Sequence, residues 1–381
     1  MGFLVIAFLT ALFVSLLCIP PLIKVAILKR LFDEPGGRKL HTRMIPTIGG
    51  IIIFAATLFS FGLWFPSDDL FRLTPNLEVF SRIQLESVSQ KALHSIDDFK
   101  YMLATILILF FVGVKDDIIG TAPIKKLAAH ILVGLILVLM ADVRITSMHG
   151  IFGVYALPQW ASVFLSLFTI IVIINAFNLI DGVDGLAAGV GFIASMAFGT
   201  WFYLAGDMVL SMLSFSLAGS LLGFLVFNFN PAKIFMGDSG SLVIGLILAF
   251  LAIRLIEFSP GSIKSSLLLD ISRPVFAMSV LVYPLVDTLR IFIFRLVRGV
   301  SPFSADRNHI HHQILDLGFS HKQTVLLLYV MNLFVIALAV LLRNMDTSLS
   351  VIVIGSIVIL LSQLPFLFKK IRNGIKKDII L

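Results

Sequence analysis

The stretch IINAFNLIDGVDGLAAGVGFIA, residues 173–194, joins two apolar runs through a short polar turn. Each run belongs to a block long enough to cross a bilayer as a helix, which takes about 20 residues. The turn holds Asp181 and Asp184, each followed by a glycine. A carboxylate at the centre of a membrane helix costs about 2.5–3.5 kcal/mol. We therefore expect this turn at the membrane surface or against a wet cleft.

The same alternation of apolar blocks and short polar segments fills the chain. Of its 381 residues, 59% are hydrophobic and 13% are charged, about half the charged share of a soluble domain. Backbone groups in lipid are satisfied within helices, so we predict an all-α polytopic membrane helix bundle that forms one domain, 1–381. About eleven spans are expected, or ten because the third is short: 3–23, 47–65, 99–114, 126–141, 159–176, 186–205, 208–227, 241–258, 275–297, 324–342 and 350–368.

The positive charges predict an orientation. The first of them, Lys24, follows the first apolar block, and positive residues collect on the cytoplasmic side of membrane proteins. The N-terminus is therefore expected outside, and the basic tail 369–381 in the cytoplasm. Segment 66–98 is expected outside as an extracytoplasmic loop or a small hairpin. No basic face is interleaved with aromatic residues, so nothing in the sequence indicates nucleic-acid binding.

Nearly all of the unusual polar clusters fall in the segments expected on the cytoplasmic side. They contain adjacent aspartates, an Asp-Gly-x-Asp-Gly turn, a Gly-Asp-Ser-Gly run and a histidine cluster. Asp116 and Asp117 resist joint ionisation unless a cation is near, although a solvated helix end is the alternative. Asp184, and Asp238 or Ser239, could instead cap the helices that follow them.

The histidines His309, His311 and His312 allow two interpretations. They could form a zinc site, although no cysteine accompanies them and adjacent histidines rarely share one tetrahedral ion. They could instead bind phosphate oxygens. Asp287 and Arg290, three residues apart in the ninth expected span, are expected to have a mainly structural role and to orient this histidine loop.

Together these residue types favour phosphoryl-transfer chemistry. Hard carboxylate oxygens suit Mg²⁺ or Mn²⁺, and helix starts flanked by glycine suit phosphate groups. A metal-dependent enzyme that joins a nucleotide-activated group to a lipid phosphate would use all of them. A secondary transporter is the alternative from another class, but its charges are expected near the bilayer midplane.

Six ordered motifs between about residues 33 and 323 resemble one family. They read DEPGGRKLHTRMIPTIGG, DDIIGTAPIKK, NAFNLIDGVDG, NFNPAKIFMGDSGS, PLVDTLR and DRNHIHHQILDLGFSHKQ. The chain is similar to the polyprenyl-phosphate N-acetylhexosamine-1-phosphate transferases, the WecA/TagO/MraY superfamily. The HIHH cluster is typical of the WecA/TagO branch. His130 is a departure, since many relatives have glutamine there.

The resemblance implies a reaction and a place for it. A UDP-N-acetylhexosamine and undecaprenyl phosphate would give UMP and the lipid-linked first intermediate of a cell-envelope polysaccharide. GlcNAc is the expected sugar, with FucNAc, QuiNAc or MurNAc-pentapeptide as alternatives. The enzyme would lie among the lipids of the bacterial inner membrane, with its active site on the cytoplasmic face. A homodimer is compatible with this expectation.

The resemblance also implies roles for individual residues. Asp238 would bind Mg²⁺, for which Mn²⁺ could substitute, and Asn178 would be a second oxygen ligand. Asp116 and Asp117 would be the catalytic pair near the lipid phosphate, and one of them would act as a base or as a nucleophile. Asp238 would be a third catalytic residue. The substrate-binding residues would be Lys39, His41, Lys126, Asn175, Asn178, Asp181, Asp184, Asn228, His309, His311 and His312.

Overall fold

The computed structural model describes residues 2–33, 45–65, 82–299 and 309–380. In these ranges the chain forms fourteen α-helices and one antiparallel pair of short strands, β1 (Phe32–Asp33) and β2 (Ile45–Pro46). The helices are α1 (Gly2–Leu28), α2 (Gly50–Leu63), α3 (Arg82–Ile119), α4 (Pro123–Leu135), α5 (Gln159–Ile180), α6 (Leu186–Ala205), α7 (Met208–Asn228), α8 (Asp238–Ile256), α9 (Ser266–Leu269), α10 (Arg273–Val280), α11 (Val282–Val297), α12 (Ile310–Asp316), α13 (His321–Leu341) and α14 (Thr347–Ile380).

The predicted fold class is confirmed. Within the described ranges, eight helices are long and apolar enough to cross a membrane: α1, α4 with its π-helical extension Ile136–Met140, α5, α6, α7, α8, α13 and the first part of α14. α2 is apolar but shorter. The count of about eleven spans, the orientation and the single-domain boundary 1–381 stay predictions.

The expectation of a loop or hairpin over 66–98 is wrong for its second part. Residues 82–98 form the beginning of α3, which continues without interruption to Ile119. The segment reads RIQLESVSQKALHSIDD and lacks the glycine and proline that destabilise helices most. Residues 66–81 lie outside the described part of the chain. The basic tail is helical as well, since α14 runs through to Ile380.

The expected span 275–297 is divided in two at Leu281, where α10 ends and α11 begins. Pro284 has no backbone N–H to donate to the carbonyl of Val280, and a proline inside a helix interrupts it for this reason. The side-chain Nδ2 of Asn332, on α13, donates to this carbonyl at 3.3 Å. The buried oxygen therefore keeps a hydrogen bond.

α8 is the central helix, and nearly all of its residues are buried. It packs against α3 and α5 along much of its length. A close approach to α3 depends on Gly113, where an added Cβ would lie 2.5 Å from the backbone of Ser239. The first turn of α8 is thus enclosed by neighbouring helices, and the polar motifs meet around it.

Candidate active site

The carboxylate of Asp117 holds the start of α8. Its Oδ1 accepts the backbone N–H of Asp238 at 2.7 Å, and its Oδ2 accepts that of Ser239 at 3.1 Å. The first N–H groups of a helix lack partners within it and carry partial positive charge. The expectation that Asp238 or Ser239 caps this helix is wrong, because α8 begins at Asp238 and Asp117 on α3 satisfies these groups.

The turn before α8 has room only for glycine. Gly237 has φ +73°, in the left-handed region that favours glycine. A Cβ there would lie 2.2 Å from the carbonyl oxygen of Thr47 and 2.6 Å from Oδ1 of Asp117. The backbone N–H of Gly50 also donates to the Met236 carbonyl at 2.8 Å. The end of the first motif therefore lies beside the Gly-Asp-Ser-Gly run.

Lys126 bridges two carboxylates from different helices. Its Nζ lies 2.6 Å from Oδ2 of Asp238 and 2.8 Å from Oδ2 of Asp116. The other oxygen of Asp238, Oδ1, accepts Nδ2 of Asn178 at 2.9 Å. That amide also donates to Oγ of Ser241 at 3.0 Å, a contact that sequence reasoning missed although Ser241 ends the NFNPAKIFMGDSGS motif. The structure thus brings α3, α4, α5 and α8 together at one point.

Negative charge is concentrated at this point. Asp181 follows α5, and its carboxyl accepts the N–H of Gly237. Desolvation raises the pKa of Asp181 well above its usual range, and the carboxylates of Asp238 and Asp117 raise it further. Desolvation also raises the pKa of Asp117 to about 7, against the effect of its hydrogen bonds from Ser239 and Asp238. Like charges and burial both disfavour ionisation, so a cation would stabilise the ionised cluster.

The donor chemistry of the cluster fits a magnesium ion. Mg²⁺ prefers carboxylate and other oxygen ligands, and the aspartates at 116, 117, 181 and 238 converge here with Asn178. Oδ1 of Asp116 is buried and has no hydrogen-bond partner within the described ranges. A buried acceptor without a partner is uncommon in folded proteins, and this one is available to a ligand.

Asp184 and Asn228 connect two loops of the site. Oδ2 of Asp184 accepts Nδ2 of Asn230 at 2.9 Å and the N–H of Ala232 at 3.0 Å. The residue before α6 is Gly185, without a side-chain cap, so the expectation of a cap by Asp184 is wrong. The buried Asn228 accepts the N–H of Gly185 at 2.9 Å and donates to the carbonyl of Ile234 at 2.9 Å. Both side chains fix the aspartate turn to the segment that leads into α8.

Asn175 lies one helical turn before Asn178 and contacts α4. Its Nδ2 lies 3.2 Å from Nδ1 of His130 and donates to the Ile171 carbonyl at 2.7 Å. Residues three apart share one face of a helix, so the two asparagines face the same side of α5. His130 is the position at which the chain departs from many relatives, and it is buried here.

The three histidines form a second cluster around Asp287, whose side chain is fully buried. Oδ2 of Asp287 lies 2.9 Å from Nδ1 of His309, and Oδ1 accepts the N–H of Ile310 at 2.8 Å. Nδ1 of His311 lies 3.2 Å from the hydroxyl of Tyr283. Asp287 therefore orients the histidine loop, as expected. The guanidinium of Arg290 lies over the ring of Phe366, 3.6 Å from its centroid.

The zinc interpretation has some geometric basis in this cluster. One ligand-capable atom from each of Asp287, His309 and His311 lies within 4.8 Å of the others. Hydrogen bonds already account for the arrangement, since each of these side chains has a partner in the cluster. Desolvation lowers the pKa of His311 to about 3, so its imidazole is neutral at physiological pH.

Both clusters lie toward the same end of the bundle. α13 begins at His321, which lies near His311. Eight residues, or about 12 Å, further along the helix, the hydroxyl of Tyr329 donates to the carbonyl of Gly185 in the aspartate turn. Lys39 and His41, the remaining expected binding residues, lie in 34–44, outside the described part of the chain.

The opposite end carries a polar network that sequence reasoning missed. Glu257, just after α8, accepts the N–H of Thr146 at 2.9 Å and lies 3.9 Å from Nε2 of His149. Nδ1 of His149 lies 3.1 Å from Arg273. The sequence gives little signal for this network, because its members are isolated polar residues far apart in the chain.

Comparison with known proteins identifies the family. The sequence profile of glycosyl transferase family 4 matches residues 99–256. An undecaprenyl-phosphate alpha-N-acetylglucosaminyl 1-phosphate transferase of Yersinia pestis is 30% identical over 310 residues, 80% of this chain and 75% of the relative. A protein of the same name from Salmonella typhi is 32% identical over 80% of this chain and 74% of its own length. A decaprenyl-phosphate N-acetylglucosaminephosphotransferase of Mycobacterium leprae is 32% identical, with 77% and 72% covered.

The relatives align over 77–80% of the chain, and the family profile includes the helices that carry the carboxylate cluster. They agree with the resemblance that the six motifs indicate. The chain belongs to the polyprenyl-phosphate N-acetylhexosamine-1-phosphate transferases, the superfamily of WecA, TagO and MraY.

Proposed function

We propose that this protein transfers N-acetylglucosamine-1-phosphate from UDP-GlcNAc to undecaprenyl phosphate and releases UMP. The relatives named above support the sugar and the lipid. The observation that carries the proposal is the convergence at the start of α8, where Lys126 bridges Asp116 and Asp238 and Asp117 accepts the N–H of Asp238. A cluster of this kind can hold a cation and a phosphate group side by side.

The reaction is a displacement at phosphorus. An oxygen of the lipid phosphate attacks the β-phosphorus of the UDP-sugar, and the bond from this phosphorus to the bridging oxygen breaks. UMP leaves with the electron pair. Catalysis of such a step depends mainly on positioning and on stabilisation of charge.

Asp116 and Asp117 would act on the lipid phosphate. Oδ1 of Asp116 is an available acceptor for a phosphate proton, which is the base role. Direct attack by an aspartate on phosphorus is the alternative, with a covalent intermediate. Asp117 also has two fixed backbone donors, which makes it better suited to positioning the start of α8 than to attack.

Mg²⁺ would be held by Asp238 and Asn178, with the carboxylate of Asp181 nearby, and Mn²⁺ would be an acceptable substitute. A bound divalent ion neutralises charge on the diphosphate and makes the phosphorus easier to attack. Lys126 contacts Asp238 directly, and among the described residues it is the cation best placed to move onto a phosphate oxygen.

The remaining polar residues would bind the nucleotide sugar. Asp181 and Asn175 face the cluster from the end of α5, whereas Asp184 and Asn228 keep the adjoining loops in place. The histidines at 309, 311 and 312 would contact the diphosphate, as would Lys39 and His41. This assignment is based on the family motifs and on the shared end of the bundle.

The enzyme would act from the cytoplasmic face of a bacterial inner membrane and begin a cell-envelope polysaccharide. The concentration of positive charge in segments expected inside supports this orientation. A single domain, 1–381, would contain the whole site, and a homodimer is compatible with it. The carboxylates gather at the start of α8 rather than midway along the helices, which disfavours a transporter.

The test is UMP release by the purified protein with undecaprenyl phosphate and a panel of UDP-sugars. The panel contains GlcNAc, FucNAc, QuiNAc and MurNAc-pentapeptide derivatives, each with Mg²⁺, with Mn²⁺ and with a chelator. We expect release with UDP-GlcNAc that stops with the chelator and returns with either ion. No release with any sugar would refute the proposal, and solute flux across sealed vesicles would favour a transporter.

A further inference from the structure

Asp287 is a fully buried carboxylate that belongs to the second cluster rather than to the first. Its side chain has no measurable exposure, and both oxygens are used, one by His309 and one by the N–H of Ile310. Burial of a charge is costly unless it is paired and hydrogen-bonded. The hydrogen bonds of Asp287 must therefore offset the free-energy cost of burying its charge.

The contact with Asp287 defines which nitrogen of His309 carries a proton. A carboxylate only accepts, so the proton of His309 that faces Asp287 is on Nδ1. The neutral His311 is 3.2 Å from the hydroxyl of Tyr283 through its own Nδ1. When Tyr283 donates there, the proton of His311 is on Nε2. In His309 the nitrogen that remains for a ligand is Nε2.

We propose that Asp287 is a positioning residue that acts through His309 on the diphosphate of the nucleotide sugar, an inference that rests on the proposed function. With Nδ1–H donated to Asp287, a second proton on Nε2 makes an imidazolium that donates to a phosphate oxygen. The buried carboxylate balances the charge of that imidazolium and prevents rotation of the ring. Partner carboxylates orient histidines in other active sites in the same way.

The surroundings of His309 favour this role for Asp287. The described titratable groups around it are His311 and His312 on α12, and around His311 they are Tyr283 on α11 and His321 on α13. Among these and Asp287, the only group that is anionic at neutral pH is Asp287. Among these described groups, its loss would leave a cluster of imidazoles with no carboxylate to compensate a bound proton.

A purely structural role is the competing explanation, since Oδ1 of Asp287 also accepts the N–H of Ile310 at the start of α12. Asp287→Asn separates the two roles, because an amide oxygen can still accept from Ile310 while the carboxylate opposite His309 is lost. We expect the KM for the UDP-sugar to rise at least about tenfold, with a smaller change in kcat, as for the loss of a binding interaction. Asp316→Asn is the control, because it removes an exposed aspartate of α12 that pairs with Lys369.

A double-mutant cycle with His309→Gln tests whether Asp287 acts through the histidine. In the His309→Gln background, Asp287→Asn should change KM by less than about twofold, because coupled residues are not additive. The inference would be overturned if the double variant raised KM by the product of the two single effects. It would also be overturned if Asp287→Asn alone kept the wild-type KM. If no UDP-sugar supports UMP release by the wild type, the proposed function fails and this inference fails with it.

A spectroscopic measurement avoids the risk that Asp287→Asn does not fold. Nitrogen NMR of the wild-type protein labelled with ¹⁵N-histidine, with His309 assigned by the signals lost in His309→Gln, reports the protonation of each ring nitrogen. We expect a protonated Nδ1 in His309. An unprotonated Nδ1 in His309 would refute the proposed pairing, whatever the kinetics show.

Discussion

Asp117 and Asp238 are joined through the backbone, since Oδ1 of Asp117 accepts the N–H of Asp238 at 2.7 Å. A carboxylate of α3 thus fixes the first residue of α8, and the side chain of that residue faces Lys126 and Asn178. Displacement of either aspartate would disturb the other. The site therefore behaves as one unit.

Asp238→Asn should abolish most of the activity without preventing membrane insertion. The amide keeps the size of the side chain but loses the charge that faces Lys126 and the proposed cation. We expect UMP release to fall on the order of 10²–10³-fold, as when an electrostatic group of an active site is removed. Asp270→Asn, an exposed aspartate at the opposite end, should keep wild-type rates. A similar loss in both variants would contradict the role of Asp238.

Lys126→Met should reduce activity far more than Lys125→Met. The two lysines are neighbours at the start of α4, but Lys126 bridges Asp116 and Asp238, whereas Lys125 is exposed. Loss of the bridge leaves two partly buried carboxylates without their shared cation, and we expect at least about a 100-fold lower kcat/KM. Steady-state UMP release measures both variants. Equal effects would show that only the local charge matters.

Gly237→Ala should both inactivate and destabilise the protein. The added methyl group would meet the carbonyl of Thr47 and the carboxylate of Asp117 at less than 3 Å, on a backbone with φ +73°. Strain of this kind costs about 1–3 kcal/mol, and the start of α8 would shift. Gly182→Ala is the matched control, because a Cβ there meets nothing within 4 Å. The midpoint of thermal unfolding in detergent and the rate of UMP release should both fall in Gly237→Ala and not in Gly182→Ala. A Gly237→Ala variant with wild-type stability and activity would contradict the packing described.

We expect the protein to lose stability at acidic pH because His311 is buried in its neutral form. Its pKa is about 3 in the folded protein and about 6.5 when unfolded. Between these values the unfolded chain binds a proton that the folded chain does not, so stability falls as pH decreases from about 6.5. This one group changes the free energy of unfolding by at most about 1.4 kcal/mol per pH unit. The midpoint of thermal unfolding should fall less between pH 6.5 and 5 in His311→Gln than in the wild type; identical slopes would contradict the shift.

The sequence predicted the helices well and their interruptions poorly. Apolar blocks long enough to span a bilayer became helices, because helix formation is the only way to satisfy a single segment's backbone in lipid. The division at Leu281 depends on Pro284 and on a distant partner, Asn332, that no local pattern indicates. The polar composition of residues 82–98 predicts a loop, whereas the segment is helical.

The site was predicted at the level of motifs but not of pairings. The aspartates that meet around Lys126 stood out because carboxylates are rare in so apolar a chain. Which of them caps α8 could not be predicted, since the answer, Asp117, is 121 residues away from Asp238. Asn228 and Asp184 belong to the expected set, but their hydrogen bonds link loops to each other, and a sequence does not distinguish such a link from a substrate contact.

The enclosure of α8 has a consequence for how the enzyme should respond to its bilayer. A helix that is exposed to lipid tilts or shifts when the hydrocarbon thickness changes, at a cost of a fraction of a kcal/mol for each ångström of mismatch. α8 is almost wholly surrounded by protein, so that adjustment falls on the outer helices. Acyl-chain length in reconstituted vesicles should therefore alter access of the lipid substrate, and with it KM for undecaprenyl phosphate, while the geometry around Asp238 stays constant.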